Sequence, residues 1–139
     1  MIRVLFFLWC FPSALVGSVL GSLIVPWLRP LWATDGACAY AVIGRGARLF
    51  GWGRGWAGLT LAPWVFIRAD VADRTAVLHH ELSHVRQAWR WGPLYLPVYG
   101  LLWLLSLMKH RSAQAAYDFH PWEVEARLRA TVETGVHHG

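Results

Sequence analysis

Residues 80–84 read His80-Glu81-Leu82-Ser83-His84, the pattern H-E-x-x-H, within a run from Asp70 to Trp91 that carries helical periodicity. On a helix, residues four apart share one face, one turn above the other. Two imidazoles placed that way can share one Zn²⁺, and Glu81 is then positioned to activate a water rather than to bind the ion. Leu78, Leu82, Val85 and Trp89 recur at helical spacing and predict a buried stripe. Asp70 or Asp73 can cap the start, and Gly92-Pro93 ends the run. The motif therefore falls mid-helix, as a zinc-dependent hydrolase, first of all a peptidase, would require.

Two histidines do not hold a catalytic zinc; a third protein ligand is expected, with water in the fourth position. The extension H-E-x-x-H-x-x-G-x-x-H is absent, because Ala88 and Arg90 follow Gln87 without a histidine. The ligand must come from elsewhere. Tyr117 to Thr134 is the last predicted element, with Pro121 suited to a first helical turn and a helix over Trp122–Glu133. Its carboxylates are Glu123, Glu125 and Glu133. The competing reading of these is a solvated face, paired with Arg127 and Arg129 at four-residue spacing.

Composition sets the surroundings. Hydrophobic residues make up 56% of the 139 and charged residues 15%, which is too apolar for an ordinary soluble domain. Ten Trp point the same way, since Trp favours the membrane interface. The net charge of +5 is carried almost wholly by Arg, scattered among aromatics with no dense run. Anionic lipid headgroups, not nucleic acid, are the expected counter-charge. Cys10 and Cys38 make no disulfide framework, because Cys10 lies inside the apolar N-terminal stretch.

Val4 to Trp27 is almost uncharged and long enough to span a bilayer, so residues 1–30 are read as a membrane anchor kinked at Pro12. A cleaved signal peptide fits less well: the apolar run is too long, and the one small-residue site, Ala37-Cys38-Ala39, lies far downstream. Ser13, Gly17 and Gly21 form a small-residue stripe that could pair a second copy. Arg29, Arg45 and Arg48 follow the anchor, against Arg3 before it, which favours a cytoplasmic body.

Residues 31–134 form the expected catalytic domain, of α+β class. Glycine-punctuated apolar runs predict strands around Tyr40–Ile43, Arg48–Phe50 and Leu59–Ile67, with Pro63 marking an edge or bulge. Leu94 to Met108, interrupted by Pro97 and Gly100 and closed by Lys109, His110 and Arg111, is marginal in length for a span. Were it to cross once, Glu123 would lie on the far side of the bilayer from His80 and His84. A shared metal therefore requires this segment to return, to lie in the interface, or to pack as a core helix. Residues 135–139, with His137 and His138, are expected to fray.

Trp122-Glu123-Val124-Glu125-Ala126-Arg127 resembles the E-x-x-A element of gluzincin metallopeptidases, in which a downstream Glu completes the zinc site. The resemblance implies Glu123 as the third ligand and Ala126 as a close-packing position; Arg127 stands where that family usually has Asp or Asn. The layout is similar in outline to HtpX-type and CAAX-prenyl-type proteases: an anchor, a minimal zincin-like domain, an apolar connector and a Glu helix. It is also similar to small bacterial proteins in which H-E-x-x-H-x-x-Q precedes Gly-Pro-Leu-Tyr-Leu-Pro, here Gly92–Pro97. The location so implied is a bacterial inner membrane.

The expected chemistry has Zn²⁺ on His80, His84 and Glu123, with Glu81 as general base on a peptide or protein substrate. Tyr117 and His120, and more weakly Tyr95, are candidates to stabilise the oxyanion. Asp118 could orient a ligand imidazole. His79 points about 100° from His80, towards the periphery. The edge of Leu59–Ile67 could hold an extended peptide. The competing class is a non-catalytic membrane metal-binding or scaffold protein with the same fold, or a membrane protein in which the motif is accidental. Glu81 argues against pure binding, which needs no base.

Overall fold

The structure, a computed structural model, describes residues 2–31, 36–50 and 57–135. His137 and His138 lie outside them. The architecture is mixed α/β and mostly helical, built on one four-stranded sheet.

The apolar N-terminal stretch is two helices, α1 (Ile2–Trp9) and α2 (Phe11–Ile24), where the sequence predicts one anchor kinked at Pro12. The break falls at Cys10, next to Pro12, which cannot donate a helical hydrogen bond. Strand β1 (Leu28–Pro30) follows directly and joins the sheet, so the sheet begins within the predicted anchor. The small-residue stripe is taken up inside the molecule, not offered to a second copy. Ser13 donates to the Ala62 carbonyl at 2.8 Å, and the Trp64 indole donates to the Ala14 carbonyl at 3.1 Å. A β-carbon on Gly17 would sit 2.5 Å from the Trp64 ring.

The sheet order is β1-β2-β4-β3, with β2 (Cys38–Val42) parallel to β4 (Trp64–Arg68) and the outer strands β1 and β3 (Gly58–Leu61) antiparallel to their neighbours. The predicted strand Leu59–Ile67 is therefore a hairpin, with Pro63 in its turn. Residues Arg48–Phe50, predicted as strand, end a short helix, α3 (Gly44–Phe50). Alternation along β4 sends Val65 and Ile67 to one face and Trp64 and Phe66 to the other, and both faces are covered. Helix α2 lies on the Phe66 face. Val65 and Ile67 meet Leu82, Val85 and Ala88 of α4 (Arg74–Trp91).

Asp73 caps α4 by accepting from the Ala76 amide at 2.9 Å. Gly92 stops it with φ of 54°, and the Trp9 ring occupies the space a β-carbon there would need. A 3₁₀ turn leads into α5 (Tyr95–His110), so Arg74–His110 is one helical stretch of 37 residues. Among the described residues it is the one long and apolar enough, by length and composition, to cross a membrane. Pro97 does not interrupt α5, because it sits in the first turn, where its missing N–H is not needed. After Arg111 the chain folds back through α6 (Ala113–Asp118), and the Ser106 hydroxyl donates to the Ala116 carbonyl at 2.9 Å. Helix α7 (Pro121–Thr134) then packs along α4, with Ala126 fully buried between them. Glu133 of α7 clamps that pair by meeting Arg86 at 2.5 Å and His79 at 2.7 Å.

Candidate metal centre

Helix α4 presents His80 and His84 on one face, and α7 brings Glu123 against them. The two Nε2 atoms are 3.2 Å apart. Glu123 Oε2 lies 3.1 Å from His80 Nε2, and Oε1 lies 3.2 Å from His84 Nε2. Among the described residues these three form a group able to hold a metal ion. Donors arranged tetrahedrally around an ion with bonds of about 2.0–2.1 Å would stand about 3.3–3.4 Å apart, close to the spacing found. Glu123 is 2% exposed, and its Oε2 is buried with no hydrogen-bond donor. Such an orphan is costly in a protein interior, and a cation is the partner its position fits.

The neighbours fix how the donors point. Gln87 Nε2 donates to the Trp122 carbonyl at 3.1 Å and to Glu125 at 3.0 Å, which turns Gln87 Oε1 towards His84 Nδ1 at 2.8 Å. An amide oxygen only accepts, so Nδ1 carries a proton, and Nε2, which faces Glu123, is the nitrogen left to hold a metal. Tyr99 donates to Glu123 Oε1 at 2.6 Å. Burial pulls the His84 imidazole down, but the hydrogen bond and charge of Glu123 more than reverse this, raising it to about 9. Burial pushes Glu123 up, yet the His80 and His84 imidazoles set against its two oxygens hold it well below the usual carboxylate range. Histidine and carboxylate thus already attract one another strongly across the α4–α7 seam.

Glu81 lies on the same helix, 5% exposed, beneath strand β3. The Thr60 hydroxyl donates to its Oε2 at 2.7 Å. Gly58 lies so close that a β-carbon there would stand 2.5 Å from Glu81 Oε1. Burial raises the Glu81 carboxyl above its ordinary value, in the direction that strengthens it as a base.

The other sequence candidates divide. Glu125 is outside the group: it accepts from Gln87 and Arg129. His120 is fully buried and uses both ring nitrogens, Nδ1 accepting from the Trp122 amide at 3.2 Å and Nε2 facing the Tyr99 carbonyl at 3.1 Å. It therefore has no free N–H for an oxyanion. It caps α7 and stacks on Tyr99 with ring centroids 4.2 Å apart. Tyr117 stands near the group: its ring lies 5.8 Å from the Arg127 guanidinium, and burial, then the charge of Glu123 and a hydrogen bond to it, raise its phenol. Tyr95 is buried and stacked on Trp122. The Asp118 carboxylate accepts from Gln114, and its backbone carbonyl from Arg127, not from a ligand imidazole. His79 pairs with Glu133 at the periphery, as its direction on the helix predicts.

Sequence reasoning missed the roles of Gln87 and Tyr99. Gln87 follows His84 by three positions, on the same helical face, and that spacing was a usable signal. Tyr99 carries no comparable mark, since its partner is 24 residues away. No protein-family model matches the chain, and neither a curated protein nor a solved structure is significantly similar to it.

Proposed function

We propose that the chain is a membrane-associated zinc hydrolase that cleaves peptide bonds. One observation carries the reading: two imidazole nitrogens and a buried carboxylate, one of whose oxygens has no hydrogen-bond donor, converge at metal-ligand spacing beside a second buried carboxylate. His80, His84 and Glu123 would hold the metal. When bound, the ion supplies Lewis-acid polarisation of a carbonyl and acidifies water. Gln87 and Tyr99 orient the donors. Glu81, held by Thr60 and roofed by Gly58, takes the proton of the attacking water and returns it to the amine as the C–N bond breaks. Tyr117 is the side chain best placed to donate to the developing oxyanion.

Membrane association is supported by the apolar residues that α2 and α5 turn outward. The bias of Arg after α2 favours the cytoplasmic side for the body, and the resemblance to small bacterial proteins implies a bacterial inner membrane.

The test is elemental analysis of detergent-purified protein with peptide-hydrolysis assays. About one zinc per chain is expected in wild type and in Glu81→Gln, and none in His84→Ala or Glu123→Ala. Hydrolysis by wild type alone supports the enzyme. Zinc retained in wild type and Glu81→Gln with hydrolysis in neither supports the competing non-catalytic metal-binding reading. No zinc in wild type after supplementation refutes both.

A further inference from the structure

Helix α2 is built inside out. Over its first three turns the inward face is Ser13, Ala14, Gly17 and the half-buried Ser18 and Gly21, with Leu20 and Ile24 packing on Phe66 only at its end, while Leu15, Val16, Val19 and Leu23 point outward, Leu23 at 70% exposure. In water the hydrophobic effect orients an amphipathic helix the other way. Helix α5 shows the same sign. Tyr95, Tyr99 and Ser106 face the protein, with Leu96, Val98 and Leu102 half-buried against the core, and the fully apolar set Leu101, Leu104, Leu105 and Met108 projects from the opposite side. The two apolar stripes join where Trp9 donates to the Trp89 carbonyl at 3.0 Å and packs against Gly92.

Neither stripe can belong to a segment that crosses a bilayer. Helix α2 with the 3₁₀ turn after it, Phe11–Trp27, reaches about 25 Å, short of a hydrocarbon core of about 30 Å, and α1 breaks from it at Cys10. It also lies flat on a sheet whose outer strands, β1 and β3, have no further partner among the described residues. Open sheet edges do not occur in hydrocarbon, so the inner side of α2 must stay at the water boundary. Beyond Tyr99, α5 extends only about 17 Å before the chain turns back. The chain returns to the Tyr99 carbonyl through His120, and to the metal group through Glu123.

Charge identifies what the stripes meet. No Asp or Glu occurs in residues 1–34 or 82–117, whereas Arg29, Lys109 and Arg111 are exposed there. Exposed basic residues in stretches free of acidic ones, on a surface that also exposes Trp9, Trp89 and Trp91, match an anionic headgroup layer.

We infer that the chain is monotopic: the outward stripes of α2 and α5 lie in the headgroup–acyl boundary of one anionic leaflet, and no described segment crosses it. This rests on the membrane reading above and is independent of the metal. The test has two parts, both on the full chain. In flotation with sealed vesicles, wild type is expected to bind phosphatidylcholine/phosphatidylglycerol (7:3) and to bind pure phosphatidylcholine at least tenfold more weakly. A Val19→Asp/Leu104→Asp variant, shown folded by circular dichroism, is expected to lose at least tenfold of its binding. In sealed inverted bacterial membrane vesicles, a membrane-impermeant maleimide is expected to label Arg74→Cys and Lys109→Cys from the same side, above the wild-type baseline from Cys10 and Cys38.

Labelling of those two variants from opposite sides, with flotation intact, overturns the monotopic arrangement and leaves membrane binding standing. Equal binding to both lipids removes the anionic-leaflet assignment, and undiminished binding by the folded double variant removes the stripes. Failure of wild type to float overturns the membrane reading together with this inference.

Discussion

Gln87→Met keeps the volume of the side chain and removes its polar end. Three hydrogen bonds end on the native amide, at 2.8, 3.1 and 3.0 Å, and they tie His84 of α4 to Trp122 and Glu125 of α7. Each net bond contributes about 0.5–1.5 kcal/mol, and more where a buried partner is left unpaired, as His84 Nδ1 would be. The metal-free protein is therefore expected to lose about 2–4 kcal/mol. Freeing the His84 ring should also weaken metal binding about 10–100-fold, or about 1.4–2.8 kcal/mol. Competition with a fluorescent chelator gives the affinity, and melting with and without metal gives the stability. Gln87→Glu separates the two effects. It keeps an acceptor for His84 but loses the donor to Trp122 and sets a second carboxylate against Glu125. Stability should fall while metal affinity is largely retained. A folded Gln87→Met protein that binds metal within twofold of wild type would refute the claim that this amide orients the ligand.

Gly58→Ala drives a β-carbon into the Glu81 carboxylate; it should leave one metal per chain, cost about 1–3 kcal/mol by overpacking, and lower peptide hydrolysis by about 10²-fold. Tyr99→Phe removes a hydrogen bond to a buried carboxylate and should destabilise the metal-free form by about 1–3 kcal/mol. Metal should offset part of that loss, as melting with and without chelator will report. The pH response should change sign with metal. In the metal-free chain, His84 rises from 6.5 to about 9, so its stabilisation is full below pH 6.5 and is lost as pH climbs through 9. With metal bound the imidazole must be deprotonated, so stability should instead increase with pH as His84 of the unfolded chain loses its proton. Parallel melting curves of the two forms across this range would contradict the assigned ligands.

The motif helix was readable because its signals are local. The four-residue spacing of His80 and His84, the Asp73 cap and the Gly92 stop each act within one helix. Glu123 was readable only through its resemblance to E-x-x-A, and the full burial of Ala126 agrees with the close packing expected there. Residues Gly44–Phe50 misled because so short a segment carries too little periodicity to separate helix from strand. Pro63 announces an interruption but does not say whether the chain bulges or reverses. The roles of Gln87, Tyr99 and His120 depend on partners across helices, and no spacing rule reaches that far. The orientation of α2 was hidden for another reason: in an almost wholly apolar segment, periodicity cannot say which face turns inward, and here small residues make most of the contact, with Leu20 and Ile24 joining only at its end.

Helix α5 has Tyr99 on one side, donating to Glu123, and Leu101, Leu104 and Leu105 on the other. It is a partition a single helix thick, about 10 Å. With lipid behind it, the histidine–carboxylate group has a medium of low polarisability on that flank in place of bulk water. Attraction between unlike charges grows as the surrounding dielectric falls. The bilayer then acts as part of the electrostatic lining of the centre, and detergent, which thins or wets that flank, becomes a variable of its chemistry as well as of its solubility.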